Sequence, residues 1–202
     1  MMEQDILVLA TRNKNKISEM ESVLQGSGLH ARSAYDFAEL KDVEEDQPTL
    51  EGNALKKARY TFQETGLPSL ADDTGLEVDA MDGRPGVYSA RYAGENASYQ
   101  DNVTKLVHEL NEKLKSGFKP PFRARFRTVL TFVTSSGEKV FHGLCEGQII
   151  LEPAGTNGFG YDPVFIPDGY DITFAQMDAK LKNEISHRGK AMRLFRDYIH
   201  SR

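Results

Sequence analysis

The sequence predicts an α/β fold in a single domain spanning residues 1–202, with room for two lobes around a cleft. Three observations carry that prediction. A continuous apolar run near the start, Ile6-Leu7-Val8-Leu9-Ala10, suits a strand buried on both faces. Apolar residues recur at helical spacing in several later segments. Between residues 123 and 151 the pattern switches to β-rich runs broken by a turn.

After the first strand comes the polar loop Thr11-Arg12-Asn13-Lys14-Asn15-Lys16, then a helix with Ile17, Met20, Val23 and Leu24 on one face and Gly26 or Gly28 near its end. Residues 49–65 place Ala54, Leu55, Ala58 and Phe62 at helical spacing, and Gly66-Leu67-Pro68 stops that helix. Ser98-Tyr99-Gln100-Asp101 has the form of a capping box, in which serine and carboxylate satisfy each other's backbone N–H groups. Val103, Leu106, Val107, Leu110 and Leu114 then make an apolar stripe. Residues 123–134 and 139–151, joined by Ser135-Ser136-Gly137-Glu138, read as a β-hairpin. A last amphipathic segment, residues 189–199, points Ala191, Leu194, Phe195, Tyr198 and Ile199 toward a core. No repeat, low-complexity tract or linker interrupts this series.

Hydrophobic residues make up 39% of the chain and charged residues 27%, which supports a packed core and argues against disorder. The formal net charge of -5 leaves no broad positive field for a polyanion, so nucleic acid is not an expected partner, while a small anion held by a few lysines is compatible. Cys145 stands alone, which excludes an intrachain disulfide, and no apolar run approaches the ~20 residues that span a bilayer. The acidic start, Met1-Met2-Glu3-Gln4-Asp5, has no secretion segment. A cytoplasmic protein with no membrane partner is the expectation.

Leu70-Ala71-Asp72-Asp73-Thr74-Gly75 sets two adjacent carboxylates after an apolar run. At a strand end their side chains would leave on opposite faces, one aimed into a cleft and one supporting from behind; in a turn, the same pair would accept backbone hydrogen bonds. Glu44-Glu45-Asp46 is a second carboxylate patch. Mg²⁺ takes hard oxygen ligands, one or two carboxylates completed by waters and phosphates, so two acidic clusters suit it; a solvated acidic loop reads the same. Lys16, Lys57, Lys182 and Arg188 supply cations that a triphosphate needs for binding and for stabilising charge during attack on phosphorus, although lysines also serve as solvated surface charge.

The loop of residues 11–16 follows a buried strand and opens a helix, where backbone N–H groups and the helix dipole favour an anion, yet it lacks the glycines of a Walker loop. Thr156-Asn157-Gly158-Phe159-Gly160-Tyr161-Asp162-Pro163 combines glycines that permit close approach, aromatics that can stack on a base, and a carboxylate; a tight turn with core aromatics would look alike. Ser186 can cap the final helix, with His187 and Arg188 projecting as donors.

Taken together these stretches resemble the non-canonical purine NTP pyrophosphatase family, the inosine/xanthosine triphosphate pyrophosphatases. The resemblance runs from the opening loop through Asn53-Ala54-x-x-Lys57-Ala58, Ala71-Asp72-Asp73-Thr74-Gly75-Leu76, Gly83-Arg84-Pro85-Gly86-Val87-Tyr88-Ser89-Ala90-Arg91-Tyr92, Gly158-Phe159-Gly160-Tyr161-Asp162-Pro163 and Ile185-Ser186-His187-Arg188. Almost the whole chain is covered in order, and the joint occurrence is specific where each string alone is not.

The resemblance implies an elongated mixed sheet flanked by helices, in two lobes with the active site between them, usually as a homodimer. It implies Mg²⁺-dependent hydrolysis of ITP, dITP and XTP to the monophosphate and pyrophosphate. Carried over by position, Thr11, Arg12, Asn13, Lys14, Asn15 and Lys16 would hold triphosphate with Lys57. Glu44 and Asp73 would bind Mg²⁺, Asp73 would accept the proton of the attacking water, and Thr74, Phe159, Gly160, Tyr161, Asp162, Lys182, His187 and Arg188 would contact the nucleotide. The residues themselves leave open whether Glu44 or Glu45 reaches the metal. Thr74 stands where the family commonly has serine, keeping the hydroxyl, and Arg12 and Lys14 stand where small residues are frequent. Two other readings stay in view, a pyrophosphatase of pyrimidine or modified-base specificity and a nucleotide sensor without catalysis.

Overall fold

The computed structural model describes residues 5–201, so the acidic start read at residues 1–4 lies outside them. The sheet is mixed. Strands β1 (Ile6–Leu9), β2 (His30–Ser33), β3 (Ser69–Val78), β5 (Phe122–Thr134), β6 (Gly137–Ile149) and β7 (Phe165–Pro167) are ordered β2-β1-β3-β5-β6-β7, with β4 (Pro85–Gly86) paired to β3. β1 is parallel to β2 and β3, setting Leu9 opposite Ser33 and Leu70, whereas β3–β4 and β6–β7 are antiparallel. Five α-helices occur among the described residues: α1 (Lys14–Leu24), α2 (Leu50–Thr65), α3 (Tyr99–Lys115), α4 (Ala179–Ile185) and α5 (His187–His200). None is long and apolar enough to cross a membrane.

The chain divides into two compact units. The first holds the described residues up to Asp73, Thr128–Gly143 and those from His187 onward; the second holds Thr74–Arg127 and Leu144–Ser186. In the first unit β1, the start of β3 and the end of β5 are apolar on both faces because helices cover both. Leu7, Leu9, Leu70, Leu130 and Phe132 pack with Met20 and Leu24 of α1 and Ala191, Met192 and Phe195 of α5. Their chain neighbours Ala10, Ala71 and Val133 pack with Ala58 of α2. The period-two alternation of a strand thus sorts consecutive residues between two helix layers.

Where β6 passes α5, Gly143 has no room for a side chain: a Cβ there would sit 1.9 Å from the His187 carbonyl oxygen and 2.9 Å from the Ala191 nitrogen. Backbone cannot swing aside as a long side chain can, so Gly143→Ala is expected to cost about 2–3 kcal/mol, lowering the melting temperature by roughly 4–12 °C in a thermal scan. An unchanged melting temperature would show that α5 is free to shift.

In the second unit β5 changes character. Phe122, Ala124 and Phe126 face a core shared with Val103, Leu106 and Leu110 of α3, while Arg123, Arg125 and Arg127 alternate onto the other face and pair with Asp168, with Asp79 and Glu146, and with Glu77. Ser98 and Asp101 form the expected capping box at the start of α3.

Four details differ from the expectation. β3 runs through Asp72, Asp73, Thr74 and Gly75, so the aspartates are neither in a turn nor at a strand end. α1 begins at Lys14, because the Asn13 side chain accepts from the Asn15 and Lys16 N–H groups and caps it there. α5 begins at His187, which puts Arg188, Ala191, Met192 and Phe195 on its buried face and turns Leu194 outward, 50% exposed. Ser186 is the C-cap residue of the unforeseen helix α4.

Candidate active site

Because β3 is an unbroken strand covered on both sides in this unit, Asp72 follows Leu70 toward α1 and α5, and Asp73 follows Ala71 toward α2. Both are buried, at 1% and 5% exposure, and their surroundings differ. Asp72 Oδ2 accepts from the Arg188 guanidinium at 3.1 and 3.2 Å and lies 3.1 Å from Lys16 Nζ. Arg188 also donates to Glu19. Burial alone would raise the Asp72 carboxyl, but Lys16, Arg188 and Lys57 outweigh it and hold the group well below the usual carboxylate range. Asp72 is a fixed anion tying together two helices.

Asp73 faces a different balance. Asn53 of α2 donates to its Oδ2 at 3.0 Å, and Lys57 Nζ lies 3.9 Å from Oδ1. Lys57 in turn donates to the Glu45 carboxylate and to the Asp72 carbonyl oxygen. Burial, reinforced by the neighbouring Glu45 charge and only partly offset by Lys57, Lys16 and Asn53, pushes the Asp73 carboxyl up to about 6. Glu45 stays below its ordinary value: burial opposes this, but Lys57 and Lys16 prevail. Two carboxylates therefore share one lysine on the α2 side of the sheet.

That pair fits Mg²⁺. Among the described residues no three His, Cys, Asp or Glu side chains gather into an all-protein metal cage. Mg²⁺ rarely uses one, taking one or two carboxylates and leaving its remaining positions to waters and substrate phosphates. Glu45, with Asp73, would supply those carboxylates; Glu44 is exposed, and its carbonyl oxygen accepts from Lys56 at 2.9 Å.

In the second unit the Gly158–Asp162 turn is built around the Asp162 carboxylate. Its Oδ2 accepts from the Phe159 N–H at 2.7 Å and from Lys182 Nζ at 2.6 Å. The ammonium lies 4.8 Å from the centroid of the Phe159 ring, and Lys182 and Asp162 are both buried. Gly158 is required here, since its φ is +73° and a Cβ would fall 2.1 Å from Asp162 Oδ2. The result is a half-buried aromatic ring braced by a buried ion pair, which can stack on a planar base.

The profile of the Ham1 family matches residues 7–198. The chain belongs to the Ham1 family. Relatives named dITP/XTP pyrophosphatase include those of Flavobacterium johnsoniae, 46% identical with 96% of this chain and 97% of the relative covered, and of Geobacter sulfurreducens, 45% identical with 96% of each covered. Among solved structures, a HAM1 protein from Coxiella burnetii superposes with a TM-score of 0.88 at 36% identity, covering 98% of this chain and 99% of that one.

Against this Ham1 background the structure distributes the expected site residues unevenly. Lys14 and Asn15 are exposed on the first turn of α1, beside Lys16. Thr11 accepts from the Asn13 N–H at 3.1 Å, and Arg12 reaches away to Asp42 and the Leu40 carbonyl oxygen. Thr74 is half-buried and Gly160 takes φ +63°. Tyr161 is a core residue rather than an open base contact, for its ring is 5% exposed and its hydroxyl donates to the Ser89 carbonyl oxygen at 2.9 Å. His187 and Arg188 are each 3% exposed, so they are not projecting donors, and the Arg188 guanidinium is held by Asp72 and Glu19. Glu19 and Asn53 are participants that sequence reasoning passed over, and of the two glutamates it left open, Glu45 is the one that Lys57 holds. Asn53 stands one helical turn before Lys57 and Glu19 three residues after Lys16, spacings that place each on its lysine's helix face and offered the available signal.

Proposed function

We propose that this Ham1 protein hydrolyses non-canonical purine nucleoside triphosphates, ITP, dITP and XTP, to nucleoside monophosphate and pyrophosphate with Mg²⁺, clearing them from the nucleotide pool. The observation that carries this reading is Asp73: a buried carboxyl, pushed up to about 6, held between Asn53, Lys57 and a second carboxylate. In the metal-free fold its proton affinity lies near the working pH, where a general base is efficient, and a bound cation would lower it. The names of the relatives from Flavobacterium johnsoniae and Geobacter sulfurreducens support the substrate class.

In the proposed reaction Asp73 takes a proton from a water whose oxygen forms a new bond to the α-phosphorus, while the bond from that phosphorus to the bridging oxygen breaks and pyrophosphate leaves with the electron pair. Mg²⁺, when bound by Glu45 and Asp73, would neutralise phosphate oxygens and acidify water. Lys57 holds the two carboxylates in place. Lys14, Asn15 and Lys16 present side chains and backbone N–H groups at the start of α1, where an anion is favoured. Phe159 stacks on the base, and selection rests on the carbonyl at purine C6, since a site that donates to it is left unsatisfied by the amine of adenine. Guanine keeps that carbonyl, so its rejection rests on the 2-amino position.

Pyrophosphate release measured across ITP, dITP, XTP, ATP, GTP, dUTP and CTP tests the reading. ITP and XTP are expected to exceed ATP by about 10²-fold or more in kcat/KM, only with a divalent cation present. Comparable turnover of ATP and GTP would overturn the housecleaning role, preference for a pyrimidine would move the assignment to that class, and binding without turnover would make the protein a sensor. We further propose a cytoplasmic homodimer, which sedimentation at micromolar concentration distinguishes from a monomer.

A further inference from the structure

Resting on that reading, the geometry points to Asn53 as a positioning residue that registers the acidic loop at residues 44–47 onto Asp73. Asn53 lies on α2 and is 0% exposed. Its Nδ2 donates to Asp73 Oδ2 at 3.0 Å, and its Oδ1 accepts from the Gln47 N–H at 2.9 Å. The amide can face only one way, because reversing it would set a donor against the Gln47 N–H and an acceptor against the carboxylate. One short, rigid group thus fixes the separation between the backbone that carries Glu45 and the strand that carries Asp73.

The rest of α2 cooperates along the same face. Thr49 caps the helix through the Gly52 N–H, and Gly52 lets the loop lie against the first turn, since a Cβ there would be 2.8 Å from Gln47 Cβ. One turn later Lys56 donates to the Glu44 carbonyl oxygen at 2.9 Å and to Asp46 at 2.8 Å, while Lys57 engages Glu45. Lysines on four-carbon stems tolerate sliding of the loop; an asparagine amide does not. Asn53 is therefore the part of the strap that sets where Glu45 stands relative to Asp73, and so the spacing at which the pair meets a cation and a water. Groups that orient metal ligands in this way contribute about 10- to 100-fold to metal affinity or activity.

The test compares wild type, Asn53→Ala and the isosteric Asn53→Asp, which keeps an acceptor for the Gln47 N–H and removes the donor toward Asp73. Two quantities are measured on folded protein: pyrophosphate release from ITP, and Mn²⁺ binding by electron paramagnetic resonance with α,β-methylene-ITP, which requires no turnover. Each variant is expected to lose about 10- to 100-fold in kcat with KM for ITP changed by less than about threefold, and to need about tenfold more Mn²⁺ for half-saturation. If either variant folds and retains both wild-type kcat and wild-type Mn²⁺ affinity, Asn53 is only a packing residue and the inference falls. It falls equally if activity drops solely with the folded fraction. A wild type that binds Mn²⁺ but releases no pyrophosphate refutes the proposed function instead, and the Mn²⁺ titration still decides the role of Asn53.

Discussion

Asp73→Asn is expected to reduce kcat for ITP by about 10²- to 10⁴-fold, the contribution of a positioned general base, while KM changes little because the shape and the Asn53 contact survive. The same substitution should make the metal-free protein more stable above neutrality. The Asp73 carboxyl titrates at about 6 in the fold against an ordinary value of 3.8, so the fold prefers its neutral form. A group raised in this way contributes stability below pH 4 and loses it as the pH rises through about 6. Asparagine is neutral throughout and escapes that loss. With chelator present at pH 8 the variant is expected to exceed wild type by about 1–3 kcal/mol in denaturant unfolding, with the gap closing below pH 5. Full activity would remove Asp73 from its role as base, and a less stable variant at pH 8 would show that Lys57 offsets the burial of the charge.

One residue earlier, Asp72→Ala should do the opposite. It leaves Arg188 and Lys16 facing the place of a lost carboxylate in a buried setting, and breaking one partner of such a cluster costs about 3–5 kcal/mol. The melting temperature should fall by roughly 6–20 °C. Since the Asp72 carboxyl is held far below its ordinary value, its stabilisation is present above about pH 4 and is lost as the pH drops further, so the gap between wild type and variant should shrink in acid. Urea titrations at pH 7 and pH 3 measure this. Loss of activity without loss of stability would instead give Asp72 a direct chemical role.

The divergence of two neighbouring aspartates also marks how far the sequence could be read. That they leave β3 on opposite faces follows from strand periodicity, and the apolar partners Leu70 and Ala71 already carry the same alternation. What lies on each face does not follow from local pattern. Arg188 is separated from Asp72 by 116 positions, and nothing near residue 188 shows that its guanidinium is spent on a buried pair rather than offered to substrate. Glu44 and Glu45 are indistinguishable as letters; the strap along α2 turns the second inward. Helix α4, seven residues with one strongly buried lysine, lacks the apolar stripe that exposed α2, α3 and α5 to sequence reasoning. The core elements were legible because burial is periodic, whereas the polar site is made of long-range pairs that no period announces.

Water activated at Asp73 is expected to attack the α-phosphorus of a non-canonical purine triphosphate. Hydrolysis of ITP with Mg²⁺ in ¹⁸O-enriched water, followed by mass spectrometry of the products, tests it most directly. One labelled oxygen in IMP and none in pyrophosphate is the expected result; label in pyrophosphate, or release of inorganic phosphate and IDP, would contradict it.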